Sequence, residues 1–385
     1  MRSRSAVRVS VVIVGITLAA LAWPRSANGK GSMTADVEID AQLGESRWPR
    51  EAEATRSIAD LIARTIEERY PAQKRPARRD AHPKAHGCVR ASFTVDETLP
   101  EDLAQGVFIP GRSYKAWIRF SNGDSDPERP DVLGDARGMA IKLMGVSGAK
   151  LLADESTAET QDFIMINHPV FFIDDPRDYL TLIKRGSSTN PLVKVLAPLA
   201  LGLKGAMIAR AITKKQIENP LHTRFWSMVP YRLGEDARKQ AIKFSARPCV
   251  AHANNNIPKN PDPSYLRKAM ANTLSTGDAC FNFMVQPRPS EAMKVEDSKT
   301  EWLESEAPFI KVAKVHIPKQ VFDTDAQMDF CENLSFTPWH SLPEHRPLGG
   351  VNRVRRIVYE QISKLRHGLN YAPRKEPTGD ESFPR

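Results

Sequence analysis

The sequence predicts an α+β protein: a closed, eight-stranded antiparallel β-barrel with surrounding helices and a C-terminal helix that carries functional side chains. Two observations lead there. Eight segments with strand-like alternation lie between residues 88 and 317, and at eight strands an antiparallel sheet closes naturally into a barrel. Helical periodicity is confined to the two flanks and one internal stretch. The 385 residues, 41% hydrophobic and 26% charged, suffice for a substantial core. No period of about 20 to 50 residues repeats, so solenoids and propellers are excluded.

Taken in order, Arg2, Arg4 and Arg8 precede an uncharged apolar run from Val9 to Trp23, with small residues at Ala20, Ala22, Ala27 and Gly29. The run is short for a membrane span. Residues 1–30 therefore read as a cleaved secretory signal, with an uncleaved N-terminal membrane anchor as the alternative. Either way the folded part, residues 31–372, is expected outside the cytoplasm, periplasmic or secreted. Cys88, Cys249, Cys280 and Cys331 are free to pair there, but four cysteines in so long a chain make no disulfide framework, and buried thiols are expected.

Ile58, Leu61, Ile62, Thr65 and Ile66 recur at helical spacing between Arg50 and Tyr70, and Pro71 ends that helix. A basic link, "AQKRPARRDAHPKAHG", leads into the strands. These are expected at Cys88–Val95, Tyr114–Ser121, Gly138–Met144, Gln161–Ile166, Thr223–Tyr231, Gln240–Ala246, Cys280–Gln286 and Phe309–Ile317. In the first, Val89, Ala91, Phe93 and Val95 share one side and Arg90, Ser92 and Thr94 the other. Between strands four and five, "NPLVKVLAPLALGLKGAMIARAI" is helical and apolar enough to lie over a pocket or against a membrane. Lys194, Lys204 and Arg210 rule out a span, and a packed surface helix pair is the plainer expectation. The tail from Pro373, residues 373–385, is polar and expected to be disordered.

The formal charge of +9 suits an anionic partner, but the basic residues are scattered among acids and no nucleic-acid motif is present, so nucleic acid is excluded as the partner. The chemistry concentrates elsewhere. On the last helix, "RVRRIVYEQISKLRHG", the i, i+4, i+11 spacing of Arg355, Tyr359 and Arg366 sets a phenol between two permanent cations on one face. A phenol with an ordinary pKa near about 10 is neutral at pH 7; flanking guanidinium groups favour the phenolate, a hard ligand for ferric iron. A solvated basic face is the simpler reading of this helix alone. His82, His86 and Cys88 make a weak zinc case, three ligands without a fourth.

Three further segments decide between these readings. "RDAHPKAHG", then "AWIRFSNGDSD" followed by "GDARGMAIKL", then "INHPVFFIDDP" resemble, in content and order, the haem-containing catalase superfamily. With the final helix the resemblance runs from His82 to Arg366. It is closest to a small catalase-related peroxidase branch and implies a catalase-like barrel holding haem b. By that resemblance Tyr359 is the axial iron ligand, Arg355 hydrogen-bonds its oxygen, and the phenolate stabilises high-valent iron once the O–O bond has broken. His82 is the distal general acid and base, Asn167 donates a hydrogen bond to the peroxide, and Ser121 orients His82. Arg79, Arg119 and Arg366 hold the propionates, while Phe172 and Tyr179 contact the macrocycle.

The departures are specific. His168 replaces a threonine, "EQIS" replaces a "PDTQ" type of sequence after Tyr359, and Tyr179 stands where catalases stack a phenylalanine. One extra residue separates the distal histidine from Phe93. The implied substrates are hydrogen peroxide or organic hydroperoxides, with an electron donor the sequence does not name. Two other functions share the iron ligand: a lipid hydroperoxide isomerase or lyase resembling allene oxide synthase, against which Ala81 speaks because a threonine is usual there, and a non-catalytic haem-binding envelope protein.

Overall fold

A computed structural model describes residues 37–252 and 257–384; the expected signal or anchor lies outside them. Nine strands form one antiparallel sheet: β1 (Ala85–Val95), β2 (Ser113–Asn122), β3 (Arg137–Met144), β4 (Thr160–Ile166), β5 (Phe225–Trp226), β6 (Tyr231–Leu233), β7 (Gln240–Pro248), β8 (Ala279–Pro287) and β9 (Ile310–Ile317). The order is β5-β4-β3-β2-β1-β9-β8-β7-β6, and β5 also pairs with β7. That second pairing closes a ring of eight strands, with β6 attached to β7 outside it.

The closure is made by a strand of two residues. Phe225 and Trp226 pair with Ala246 and Ser245 on one side, and Trp226 pairs with Ile166 on the other. A single strand over Thr223–Tyr231 was the sequence expectation. It splits into β5 and β6 because Met228 takes a left-handed φ of 63° and Pro230 follows, which breaks the extended ladder.

Alternation fills the barrel. Val89, Phe93 and Val95 of β1 are buried while Arg90 and Thr94 are exposed. Inside, Phe163 and Phe283 sit 4.8 Å apart between ring centroids, and Phe93 meets Phe283 edge-on at 5.1 Å. Each such buried ring contributes about 1.5–3 kcal/mol over an exposed one.

Helices wrap the outside: α1 (Glu51–Arg69), α2 (Pro176–Gly186), α3 (Pro191–Val195), α4 (Gly202–Lys214), α5 (Tyr265–Thr276), α6 (Asp325–Asn333) and α7 (Gly350–Leu369). Ile58, Ile62 and Ile66 of α1 pack with Ile362, Val358 and Leu365 of α7 and with Leu180 and Ile183 of α2. The N-terminal end of α7 is fixed by Arg353, which is buried and ion-paired to Glu45 (2.8 Å), Glu51 (2.6 Å) and Glu296 (2.9 Å).

Two expectations are corrected. The cysteines are not thiols: Cys88–Cys331 and Cys249–Cys280 are disulfides, and among the described residues no free cysteine remains. The first ties β1 to α6, whose packing on the strand brings Cys331 to Cys88, and the second joins the paired ends of β7 and β8. The tail, residues 373–384, is not disordered but runs as a strap over β2 and β3. Glu376 meets the fully buried Lys142 at 2.7 Å and accepts from the Thr160 hydroxyl at 2.8 Å. Glu381 accepts from the Trp117 indole at 2.9 Å, and Phe383 packs on Trp117 and Phe330. Its polar residues are polar because they satisfy buried barrel groups.

Candidate active site

One end of the barrel gathers the predicted residues. Ser121 on β2 pairs with Gly138 on β3, which pairs with Ile166 on β4, and Asn167 follows directly. These three neighbouring strand ends form a floor, and the loop before β1 lays His82 on it. The loop bends there through a left-handed His82, φ 60°, the kind of backbone strain that a surrounding site must hold in place. His82 Nδ1 lies 3.0 Å from Ser121 Oγ, and Arg119 donates to the His82 carbonyl at 2.8 Å. The floor beneath the imidazole has to be glycine, because a Cβ on residue 138 would lie 2.7 Å from His82 Nδ1. Burial, reinforced by the charges of Arg119 and Arg355, pushes the imidazole down to about 3. His82 is therefore neutral near pH 7.

Asn167 is 1% exposed, and its orientation is fixed from both sides. Its Oδ1 accepts from the Arg137 N–H at 2.8 Å, and its own carbonyl accepts from Lys215 Nζ at 2.7 Å. With Oδ1 pinned, Nδ2 is left as a buried donor with no partner. An unpaired buried donor is unfavourable by roughly 1–3 kcal/mol, so this one is built for a ligand.

The three arginines expected at propionates converge, and they do so on a carboxylate that sequence reasoning missed. Glu332 on α6 lies 3.0 Å from Arg79, 3.3 Å from Arg366 and 4.0 Å from Arg119. Arg366 also donates to the Glu332 carbonyl at 2.7 Å. Burial, with mutual repulsion added, lowers Arg119 and Arg366 to about 9 each. Three guanidinium groups around one carboxylate leave positive charge uncompensated, and Arg119 Nε lacks a hydrogen-bond partner.

Tyr359 is half-buried on α7 and has no hydrogen-bond partner among the described residues. The expected bond from Arg355 to its oxygen is not formed. Arg355 instead donates to Asn352 Oδ1 at 3.4 Å, and its guanidinium stands over the Phe171 ring at 5.8 Å. Tyr179 on α2 packs among α1, α2 and α7, and burial raises its phenol, with Asp80 and Tyr359 as charged or ionisable neighbours. Tyr231, also missed in the sequence, is raised by burial close to Arg355 and Tyr359. Phe172 packs against Phe171 at 4.4 Å. His86 is not part of the site: it is buried beside Asp131, which Lys84 (2.9 Å) and Asn122 (2.8 Å) hold. With Cys88 in a disulfide, the weak zinc grouping dissolves.

The residues fit a tyrosine-ligated haem. A phenol without a protein partner would be free to hold iron, the arginine cluster would suit two carboxylates, and the unpaired Asn167 amide with a neutral His82 would make a polar distal side. The fold class is thus a closed eight-stranded antiparallel barrel wrapped by helices, with the candidate residues gathered at one end of it.

Known proteins narrow that class. The Catalase family model matches residues 53–193, a stretch that includes Arg79, His82, Arg119, Ser121, Asn167, Phe172 and Tyr179 but ends before α7. A catalase-related peroxidase of Mycolicibacterium paratuberculosis (strain ATCC BAA-968 / K-10) is 23% identical over 300 residues, 75% of this chain and 89% of that protein. Among solved structures, a fungal catalase superposes with a TM-score of 0.62 at 19% identity, covering 82% of this chain and 63% of its own. Catalase A from Saccharomyces cerevisiae gives 0.58 at 17%, covering 85% and 68%. The chain thus spans just under two thirds of the fungal catalase. The match over residues 53–193 and the likeness to the catalase-related peroxidase support reading this chain with the catalase superfamily.

Proposed function

We propose that this protein is an exported, haem b-dependent oxidoreductase that consumes hydrogen peroxide or organic hydroperoxides, and that it works as a peroxidase more than as a catalase. The observation that carries the reading is the distal pair: a neutral His82 held by Ser121, next to an Asn167 whose only free group is a donor. Tyr359 would hold the iron of a haem, and that group, when bound, would supply the two electrons that reduce the peroxide.

The chain's own groups move the proton. With His82 Nδ1–H donating to Ser121 Oγ, Nε2 carries the lone pair and takes the proton from the inner peroxide oxygen. It returns that proton to the outer oxygen, which leaves as water, or as an alcohol from an organic hydroperoxide. Asn167 Nδ2 donates to the peroxide oxygens and stabilises the charge that develops as the O–O bond breaks. Arg79, Arg119 and Arg366 hold the carboxylates of the macrocycle, for which their planar forks are suited. Two disulfides in one chain support an oxidising compartment and hence export.

The test is oxygen release from hydrogen peroxide by the haem-loaded protein without an electron donor. The expected result is little oxygen, with steady peroxide loss only after a reducing dye is added. Sustained release of one oxygen for every two peroxides would make the protein a catalase, and no haem-dependent peroxide loss in either assay would end the reading.

A further inference from the structure

The segment between β4 and β5 exposes an apolar stripe. Leu192 (78% exposed), Val195 (76%), Leu199 (69%), Leu203 (79%) and Met207 recur every three or four residues through α3, the 3-10 turn Ala197–Leu201 and α4. The opposite face is the one that packs: Gly205 and Ile212 are buried, and Ile208 joins the barrel-facing core. The stripe is therefore not a misplaced core. Along the segment itself the charge is of one sign, with Asp297 facing Lys204 from outside it. From Leu180 to Ile217 the chain has seven lysines and arginines and no aspartate or glutamate, and Lys194, Arg210 and Lys214 are exposed alongside the stripe.

We propose that this segment docks the protein on an anionic lipid bilayer, lying in the interface plane with the stripe among the acyl chains and the cations at the headgroups. Large apolar side chains bordered by lysine and arginine are the signature of an interfacial helix, whereas the core of a protein partner interface is depleted in lysine. A span is disfavoured, although Pro191–Lys214 is long and apolar enough for one. The helix is interrupted at Gly202, whose φ is 61°, and Lys204 and Arg210 lie within the apolar stretch.

The docking element is continuous with the candidate site. Gly205 approaches the Phe172 carbonyl so closely that a Cβ would lie 2.5 Å from it. At the far end of α4, Lys215 donates to the Asn167 carbonyl at 2.7 Å. A bilayer under this face therefore lies one layer of packing from the distal loop, which favours hydroperoxides that partition into lipid.

The test places an environment-sensitive fluorophore on Leu199→Cys in the full-length protein and adds vesicles. A blue shift with phosphatidylglycerol vesicles, absent with phosphatidylcholine vesicles and lost in the Lys194→Glu/Arg210→Glu background, is expected. Binding of the protein to phosphatidylglycerol vesicles with the label still in water would show that another segment makes the contact and would overturn the proposal. So would a blue shift without vesicles that grows with protein concentration, which would assign the face to a second copy of the chain. No peroxide turnover enters the readout, so failure here leaves the peroxidase reading standing, and failure of that reading leaves this one standing.

Discussion

His82 and Asn167 stood out as candidates because of the sequence around them: a Pro-Lys after the histidine, a Pro and a Phe-Phe after the asparagine. Glu332 did not, because nothing local marks it; it matters only through Arg79, Arg119 and Arg366, which reach it from three other elements. The same limit applied to Gly138, whose missing side chain is meaningful only once His82 lies over it. His82→Ala is expected to retain haem and to react with peroxide about 10²–10⁴-fold more slowly, the usual worth of a positioned acid–base group. Rapid-mixing absorbance spectroscopy reads both quantities, and an unchanged rate with full haem content would remove His82 from the chemistry. Because burial holds His82 down to about 3, the rate of the wild-type protein should stay flat from pH 8 to pH 5. A fall centred near the ordinary histidine value, about 6.5, would contradict that environment. Arg366→Lys keeps the charge but loses the fork, so haem should be lost faster to a scavenging apoprotein while the fold is retained.

At the scale of elements, seven of the expected strands are present to within a few residues; β1 alternates cleanly, while β2, β3, β4 and β7 are buried on both faces. The eighth split at Met228 and Pro230, where backbone geometry overrode a pattern of apolar residues. The helices α5 and α6 carry no strong periodicity and were unmarked, and with α6 went both Cys331 and Glu332. The tail was misread because composition alone does not reveal that Lys142 and Trp117 need partners. Burial would raise the Glu376 carboxyl, but Lys142 and His340 outweigh it and hold it down to about 2. Glu376→Gln leaves Lys142 with Asp162 at 2.8 Å and is expected to lower stability by about 1–3 kcal/mol, measured by urea unfolding. A change within error would mean that the strap is peripheral. Opening Cys88–Cys331, by paired serine substitution, should lower stability by about 2–5 kcal/mol. Because Cys331 adjoins Glu332, that variant should also retain haem less well than the Cys249–Cys280 counterpart does.

For the whole molecule, three histidines share one electrostatic situation in different places: His82 on the distal floor, His86 beside Asp131, and His345, which accepts from the Val107 N–H at 2.9 Å. Burial pushes each down to about 3. An unfolded chain would let all three bind protons near about 6.5. Between those values the unfolded state therefore holds more protons than the folded state, and stability must rise with pH across the window. The sign is fixed: the full contribution is present above about 6.5 and declines as pH falls toward 3. Glu376 acts in the same direction below the ordinary carboxylate range, since its folded value near 2 lies under the unfolded one. The melting temperature is thus expected to be level from pH 8 to about 6.5 and to drop steadily below it. Replacing His345 by glutamine, which cannot titrate and whose Oε1 can still accept from the Val107 N–H, should flatten that slope while lowering stability at pH 7 through lost ring packing on Phe108. His345 lies apart from the candidate site, so the slope can be changed without changing the rate of reaction with peroxide. A melting temperature that fails to fall between pH 6.5 and 4, or a slope that His345→Gln leaves untouched, would mean that these imidazoles are protonated in the fold, and the neutral His82 on which the proposed chemistry depends would lose its physical basis.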